Sequence, residues 1–581
     1  MSKEVSKEQL ENMRHTAAHI LAAASRELKP ETKLGVGPAT ETGFFHDIDV
    51  DENFTEADLS KLRKKMIEIK NKNLSIEQRE VSKEEARELF KDDPYKLDLV
   101  EAIENDKIGI SDMGDGWFVT LCEGGHVEST SKVGEFKLTH LSGVYWQGDD
   151  SKPQLQRIFG VLFPNKEELK QHLAMLEEAK KRDHRKLGQE LDLFTFSPLV
   201  GAGLPMFTPR GAVIRQELED FVQELQEPRG YERVFIPHIT KKELYETSGH
   251  WEKFKDDLFH AKGMGNAEFV MKPMNCPHHT QIYASKKRSY RDLPLRYSEV
   301  TTCYRDEQAG ELQGLSRVRA LTQDDAHVFC TPDQIKEEIN SVYEIVDGFY
   351  QAFDFEIQAR LSLWDPKKPE KYLGKPEVWE KSQTILRDIM KEKGVAFIEE
   401  EGEAAFYGPK IDFKAKDSLG REWQLATIQL DFNLPERFGL SFIDDKGEDS
   451  RVVMIHRAIL GSVERFMAIL IEHYAGVLPL WLSPTQVKVL PISDDQFEYA
   501  DEITKELKQA GIRAEIDSRA ESIGKKIRES EIMKVPVMLI IGEKEQTAKE
   551  VSIRKRGQED AGTNRLPTLI EELVADINNR T

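Results

Sequence analysis

The chain has 581 residues, which is too many for a single hydrophobic core, so three or four domains are expected. Its 39% hydrophobic and 32% charged residues are typical of a soluble globular protein, and a net charge of −22 argues against indiscriminate binding to nucleic acid. The sequence predicts no membrane span, no signal or transit peptide and no disulfide framework, so the cytoplasm is the expected compartment.

The first section, residues 1–163, contains two pairs of potential metal ligands. An alanine-rich helix is predicted from Met13 to Leu28, and it places His15 and His19 on one face because they lie four residues apart. Cys122 and His126 are also four apart, after a predicted strand. These four side chains form a plausible tetrahedral zinc set, with satisfied or surface histidines as the alternative.

The rest of the chain divides into a connector and two further sections. Residues 164–190 are predicted as one long charged linker helix, running from Asn165 to Leu187. In residues 191–483 an amphipathic helix ends near Arg229, and a strand is predicted from Glu232 to Ile236. Residues 484–581 alternate strands with helices, which predicts a small α/β domain.

Two alternating segments between Leu295 and Phe329 flank a polar loop and predict a long antiparallel hairpin. On the outgoing strand, Cys303, Arg305 and Glu307 share one face. On the returning strand, one face carries Arg319, Leu321, Gln323, Asp325 and His327. Because so polar a face would not pack well against an apolar core, it either meets solvent or lines a polar pocket.

Several segments resemble a known family. The hairpin with Arg305, the helix before Glu232, and the segment from Gly461 to Arg465 resemble motifs 2, 1 and 3 of the class II aminoacyl-tRNA synthetases. Within that class, the strings MKPMNCPHH, RVRALTQDDAHVF, EGEAAFYGPKIDF and MIHRAILGSVERF are similar to threonyl-tRNA synthetases. The resemblance runs from about residue 12 to the C-terminus, and it implies that the small N-terminal domain common in the family is missing.

The resemblance implies an α+β multidomain fold. Its parts would be an N-terminal α+β editing domain in residues 1–163, the linker helix in 164–190, an antiparallel-sheet catalytic domain in 191–483 and a C-terminal α/β anticodon-binding domain in 484–581. The implied activity is the attachment of L-threonine to tRNA(Thr) through a threonyl-adenylate, with ATP and Mg²⁺ as substrate. A homodimer without membrane association is also implied.

The resemblance assigns one catalytic Zn²⁺ to Cys276, His327 and His456, although their spacing contains no C-x-x-C signature. Three protein ligands leave one position open, which threonine fills with its amino group and its hydroxyl. Valine has no hydroxyl, so a metal that requires this contact discriminates against it strongly. The implied zinc therefore recognises the amino acid and does not generate a nucleophile.

The family's roles carry over to matching residues. Arg305 would meet the α-phosphate of ATP, Arg465 the adenine and the γ-phosphate, and Arg317 the pyrophosphate end. Glu307 would hold the adenine edge and Asp325 the amino group of threonine. The remaining lining residues would be Gln323, Tyr407, Lys410, Gln424, Gln429 and Ser462. Leu321 stands where the family has an adenine-stacking phenylalanine, which predicts weaker ATP binding.

The family's editing residues match His15, His19, Lys96, Cys122 and His126. Alanyl relatives use the quartet for zinc, while bacterial-type threonyl relatives work without metal. Thr120 and Glu123 stand where the family has an acid and an arginine, so weakened hydrolysis of seryl-tRNA(Thr) is predicted. In the last section, Arg528, Glu545 and Arg554 match anticodon-contacting residues.

Two other functions compete with tRNA charging. A synthetase paralogue that acts as an RNA-binding or regulatory protein would be expected to lose Arg305, Arg465 or a zinc ligand, and none is missing. A free-standing zinc hydrolase built on the first section would leave most of the chain unexplained.

Overall fold

The structure, a computed structural model, describes residues 5–263, 268–558 and 562–580. The chain forms two compact units, residues 1–177 and 178–581. Among the helices of the described residues, none has the length and apolar character needed to cross a membrane.

The first unit combines helices with two antiparallel sheets. Its helices are α1 (Lys7–Leu28), α2 (Leu59–Asn71), α3 (Lys83–Leu89), α4 (Pro94–Ala102) and the start of α5 (Lys166–Arg182). Its strands are β1 (Lys33–Leu34), β2 (Gly43–Asp49), β3 (Ile76–Ser82), β4 (Lys107–Met113), β5 (Phe118–Leu121), β6 (Glu135–Tyr145) and β7 (Gln154–Phe163). The sheet orders are β1-β2-β7-β6 and β3-β4-β5.

Helix α1 forms because its N-terminus is capped and its small side chains pack closely. Ser6 accepts a hydrogen bond from the Gln9 backbone, and the Gln9 side chain accepts one from the Ser6 backbone. The run from Ala17 to Ala24 is buried against the first sheet and α2. This packing fixes the helix face that carries His15 and His19.

The linker prediction of a single helix is wrong at one residue. The structure has two helices, α5 and α6 (His184–Glu190), separated at Asp183. Asp183 has a non-helical backbone (φ −48°, ψ 119°), and its carboxylate accepts from the Arg185 backbone at 2.8 Å. An aspartate in this position caps a new helix instead of continuing the old one.

In the second unit, residues 191–483 add the following elements. The helices are α7 (Pro209–Gln226), α8 (Glu243–Ser248), α9 (His250–Phe254), α10 (Cys276–Ala284), α11 (Ile335–Gln351), α12 (Pro376–Glu392), α13 (Asn433–Arg437) and α14 (Val463–His473). The strands are β8 (Phe194–Thr195), β9 (Met206–Phe207), β10 (Glu232–Arg233), β11 (Ile239–Lys241), β12 (His260–Lys262), β13 (Glu268–Met271), β14 (Leu295–Tyr304), β15 (Ala320–Cys330), β16 (Ile357–Leu363), β17 (Phe397–Glu401), β18 (Lys410–Lys416), β19 (Glu422–Asp431), β20 (Ser441–Ile443), β21 (Asp449–Arg451) and β22 (Val453–Ala458).

An eight-stranded sheet forms the centre of this section, in the order β10-β14-β15-β22-β19-β18-β16-β17. All its pairs are antiparallel except the two at its edges, β10 with β14 and β16 with β17. The predicted hairpin is present as β14 and β15. The strand predicted from Glu232 to Ile236 is wrong in length, since only Glu232 and Arg233 pair with β14.

The last section forms a five-stranded sheet flanked by helices. Its helices are α15 (Phe497–Gln509), α16 (Ile523–Ile532), α17 (Glu543–Ala548) and α18 (Leu566–Asn579), and its strands are β23 (Val487–Pro491), β24 (Ala514–Ile516), β25 (Val537–Ile541), β26 (Glu550–Lys555) and β27 (Thr563–Arg565). Strands β24, β23 and β25 are parallel, as the α/β prediction requires, and β26 and β27 add an antiparallel edge that was not predicted.

Candidate active site

A polar cavity of about 390 Å³ lies over the centre of the eight-stranded sheet. The strands β15, β22 and β19 form its floor, the hairpin loop and α14 form one end, and the start of α10 forms the other. Of the two readings of the polar hairpin face, the pocket is therefore the one observed. Apart from Lys410, every residue predicted for the catalytic or metal site lines this cavity.

The residues predicted to bind the phosphates of ATP lie at the hairpin-loop end of the cavity. The Arg317 guanidinium donates to Glu307 at 2.8 and 2.7 Å and to Glu311 at 3.1 Å. Arg465 Nε donates to the Ser316 carbonyl oxygen at 3.1 Å. Burial lowers the pKa of Arg465, and repulsion from the nearby Arg305 and Arg317 lowers it further, although the Glu307 carboxylate acts in the opposite direction. A polyanion would relieve that repulsion.

The possible metal-binding group lies at the other end of the cavity. Ligand atoms of Cys276, His327 and His456 all lie within 4.8 Å of one another, and all three residues are buried. Cys276 begins α10, whereas His327 and His456 are direct cross-strand partners on β15 and β22. Because pairing strands bring residues far apart in sequence together, no local spacing could have revealed this cluster.

Each histidine of the cluster contacts a neighbouring side chain through one of its two ring nitrogens. His327 Nδ1 lies 2.7 Å from His279 Nδ1, and His456 Nε2 lies 2.9 Å from an Asp431 carboxylate oxygen. His327 Nε2, which lies 3.7 Å from an Asp325 carboxylate oxygen, and His456 Nδ1 are the ring nitrogens not used in these two contacts. This arrangement of outer partners is typical of histidines that bind a metal.

The Cys276 thiol and the nearby Asp325 share this buried environment. Burial, reinforced by the carboxylates of Asp325 and Asp431, raises the pKa of the Cys276 thiol well above its ordinary value. Burial likewise raises the pKa of Asp325, although Asn275 Nδ2 donates to its carboxylate at 3.0 Å. A cation at this position would stabilise both anionic forms, so the residues fit a Zn²⁺ ion.

A β-bulge explains why Gln424 and Gln429 both line the cavity. They are five residues apart, so a regular strand would point them to opposite faces. The pairing of β19 with β18 shifts at this point, since Phe413 is opposite Ala426 and Lys414 is opposite Gln424. The extra residue, Leu425, restores both glutamines to one face.

Lys410 is the predicted residue that the structure places outside the cavity lining. Its ammonium group lies 2.7 Å from the Asp412 carboxylate, which also accepts from Gln424 at 2.7 Å and Thr427 at 2.9 Å. Thr427 lines the cavity and was not predicted. The signal was available, because Thr427 and Gln429 are two residues apart on one strand.

The four residues of the first-unit cluster, His15, His19, Cys122 and His126, also have ligand atoms within 4.8 Å of one another. Cys122 Sγ lies 3.1 Å from His126 Nε2 and 3.6 Å from His15 Nε2. Burial, followed by the charge of His15, lowers the pKa of His126 to about 3. The four-residue spacings therefore do bring these side chains together, and they contact one another directly.

Lys96 and Thr120 are buried in the same unit. Lys96 Nζ donates to the Gly35 carbonyl oxygen at 2.8 Å, and burial lowers the pKa of Lys96 to about 8. Thr120 lies opposite Ser111 in the β4–β5 pair. Both hydroxyl groups are buried, and neither has a hydrogen-bond partner among the described residues.

The three predicted anticodon residues lie in the last section. Arg528 is exposed on α16. The Glu545 carboxylate accepts from the Gly542 backbone at 2.9 Å and so caps α17, and Arg554 Nη2 donates to Glu531 at 2.8 Å. Two of the three are thus already engaged in contacts within the domain.

Three parts of the chain match family models. Residues 259–474 match the tRNA synthetase class II core domain (G, H, P, S and T), residues 486–576 an anticodon binding domain, and residues 108–159 the threonyl and alanyl tRNA synthetase second additional domain. The eight-stranded sheet and the cavity over it are thus those of a class II aminoacyl-tRNA synthetase.

Relatives make the family more specific. Threonine--tRNA ligases of Chloroherpeton thalassium and Oceanobacillus iheyensis are 48% and 46% identical, over 97% and 99% of this chain and 87% and 89% of theirs. The RNA binding domain of threonyl-tRNA synthetase from Cryptosporidium parvum Iowa II is similar in structure, with 39% identity, a TM-score of 0.65 and coverage of 68% of this chain and 98% of that one. The chain belongs to the threonine--tRNA ligase family.

Proposed function

We propose that this chain attaches L-threonine to tRNA(Thr), using ATP and forming a threonyl-adenylate. One observation carries the proposal. The donor set of Cys276, His327 and His456 shares a single cavity with the arginines of the hairpin and of α14. The cavity therefore offers contacts for an amino acid at one end and for a nucleoside triphosphate at the other.

In the first step, a carboxylate oxygen of threonine bonds to the α-phosphorus of ATP and pyrophosphate leaves. The carboxylate is already ionised at neutral pH, so no general base is required. Arg305 stabilises the charge that develops on the α-phosphate, while Arg465 and Arg317 hold the departing phosphates. Mg²⁺ accompanies ATP as part of the substrate.

Cys276 Sγ, His327 Nε2 and His456 Nδ1 would hold one Zn²⁺, which supplies a coordination site for the amino and hydroxyl groups of threonine. Asp325 accepts a hydrogen bond from the substrate ammonium group. His279 and Asp431 orient the two imidazoles from behind. Together these residues favour threonine over valine, whose missing hydroxyl would leave part of the site unpaired.

The first unit supplies editing of seryl-tRNA(Thr). Serine also has a hydroxyl and an amino group, so a site that reads those two groups admits it. His15, His19, Cys122, His126 and Lys96 form the hydrolytic site, and the missing acid at Thr120 makes hydrolysis slow. Arg528, Glu545 and Arg554 contact the anticodon of the tRNA.

The active form is a two-fold homodimer joined through α7 and the segment that follows β10. Phe235 in that segment is 86% exposed and Ile239 is 51% exposed, so a partner would cover apolar surface. Light scattering at micromolar concentration should give twice the monomer mass. A mass of one chain across that range would contradict the dimer.

A charging assay with threonine, serine and valine tests the function. We expect rapid charging of tRNA(Thr) with threonine, at least about 10²-fold discrimination against valine, and detectable mischarging with serine. A chain that binds tRNA(Thr) but charges it with none of the three would support the regulatory alternative instead.

A further inference from the structure

His184 makes contacts that connect three distant parts of the second unit. It lies at the start of α6 and is buried. Its Nδ1 lies 2.6 Å from a Glu472 carboxylate oxygen at the end of α14, and its Nε2 accepts a hydrogen bond at 3.0 Å from the Leu315 backbone. Leu315 belongs to the loop of the hairpin that enters the cavity.

These contacts select one protonation form of the ring. Glu472 is an acceptor, so His184 Nδ1 carries the proton, and Leu315 N–H is a donor, so Nε2 must be unprotonated. The His184 backbone N–H also donates to Glu472 at 3.1 Å, and Arg421 donates to its other oxygen at 2.5 Å. Burial alone would raise the pKa of Glu472, but the hydrogen bonds from His184 and Arg421 outweigh it and lower that pKa.

The loop that His184 contacts carries the phosphate-end residues. Gln313 and Arg317 close the loop through a backbone bridge, with N···O distances of 3.1 and 3.3 Å. Next to Leu315, Ser316 accepts from Arg465 at 3.1 Å. A shift of the Leu315 backbone would therefore move both the Ser316 carbonyl and the Arg317 side chain.

The loop and the ring fit too closely for either to move alone. Gly314 has a φ of +52°, and a Cβ added there would lie 2.2 Å from His184 Nε2. The Leu315 side chain is fully buried in the main core. The loop is thus fixed beneath its tip by one apolar side chain and one hydrogen bond to His184.

We propose that His184, held by Glu472, is a positioning residue that fixes the hairpin loop for ATP. The inference rests on the proposed function, because it assigns the loop to the ATP site. His184 itself does not line the cavity. Replacing His184 should therefore weaken the binding of ATP and not that of threonine, since the threonine end of the cavity lies on β15, β22 and α10.

The test compares His184→Ala and His184→Gln with wild type in threonine-dependent ATP–pyrophosphate exchange and in calorimetric binding of ATP alone. We expect His184→Ala to raise the KM for ATP and the Kd for ATP about tenfold, with the KM for threonine changed less than about twofold. His184→Gln should recover most of the loss, because its amide can offer an oxygen to Leu315 and an N–H to Glu472.

His473→Ala is the matched control. His473 follows Glu472 directly, and its Nδ1 also accepts from a backbone N–H, that of Ser418, at 3.1 Å. That contact is not to the hairpin loop, so ATP binding should be unchanged. The inference would be overturned if His184→Ala raised the KM values for ATP and threonine equally, or if His184→Ala and His473→Ala weakened ATP binding equally. If ATP binding weakens in His184→Ala as expected but wild type shows no threonine-dependent ATP–pyrophosphate exchange, the proposed function alone is rejected.

Discussion

The donor set in the cavity (Cys276, His327 and His456) and the first-unit cluster are similar in composition but differ in the groups that hold their histidines. In the cavity, His327 and His456 each contact an outer side chain, that of His279 and of Asp431, and both rings belong to the cavity lining. In the first-unit cluster, His15 Nδ1 lies 3.2 Å from the Gly125 carbonyl oxygen and His126 Nδ1 lies 3.0 Å from the Thr16 hydroxyl, while Cys122 contacts the Nε2 atoms of both rings. Both clusters therefore hold two histidines through one ring nitrogen each, but only the first has a carboxylate, that of Asp431, among these partners.

The difference lies in the charge of the outer partners and not in their presence. An outer partner fixes the tautomer and direction of a histidine, and a carboxylate partner also raises its basicity as a ligand. We therefore expect the two sites to respond differently to the changes below.

Cys276→Ser should produce the largest effect. Loss of the thiolate removes one of the three ligands, so zinc content should fall from about one per chain toward zero and threonine activation by about 10³-fold. Metal analysis and ATP–pyrophosphate exchange measure the two effects. Cys330→Ser is the control, because Cys330 is equally buried but lies in the main core. Normal activation by the Cys276 variant would refute the site assignment.

His279→Ala should weaken zinc retention about 10–100-fold, because it removes the partner of His327 Nδ1. Competition with a chelator measures this directly. The adjacent His278 is the matched control, since its ring is buried on the same helix without a hydrogen-bond partner among the described residues. Equal zinc loss in His278→Ala would point to disruption of α10 instead.

Thr120→Asp should increase the deacylation of seryl-tRNA(Thr), by about tenfold or more. The new carboxylate could orient the hydrolytic water or pair with Lys96, whereas threonine offers no charge. Hydrolysis of pre-charged seryl-tRNA(Thr) by the two proteins gives the comparison. Thr120→Asn controls for size without charge. Fast hydrolysis of seryl-tRNA(Thr) by wild type, with no increase in rate for Thr120→Asp, would contradict the prediction of weak editing.

Lys96→Met should stabilise the first unit, by up to about 3 kcal/mol below pH 8. The pKa of Lys96 is lowered to about 8 from 10.5, so burial disfavours its charged form. Between these two values the unfolded chain binds more protons than the folded one, and wild-type stability therefore rises with pH. The advantage of the methionine variant should shrink from pH 8 to 10 in denaturant unfolding. A constant difference across that range would contradict the shift.

Leu321→Phe should have the smallest effect, a decrease of about fivefold in the KM for ATP. Leu321 lines the cavity, and an aromatic ring there could stack on adenine with a gain of roughly 1 kcal/mol. Leu321→Met keeps the volume without a ring and should leave the KM unchanged. An unchanged or higher KM for the phenylalanine variant would show that this position does not contact the base.

The sequence by itself determined the section types, the hairpin and the resemblance that the family matches confirm. Alternation along β15 predicted that Gln323, Asp325 and His327 share a face, and a four-residue spacing predicted that His15 and His19 share one. These are local rules, because the direction of a side chain depends on the repeat of its own helix or strand. They therefore hold before any tertiary contact is known.

Only the tertiary structure decided what meets across elements. His327 and His456 become neighbours through strand pairing, Gln424 and Gln429 share a face through a bulge, and His184 contacts Leu315 only because α6 packs beneath the hairpin loop. The linker breaks at Asp183 for a similar reason, since His184 is held by Glu472 from α14. The contacts of His327 with His456 and of His184 with Leu315 and Glu472 join residues more than 100 positions apart. Local periodicity carries no information about which distant elements pack together or where a strand is interrupted by a bulge.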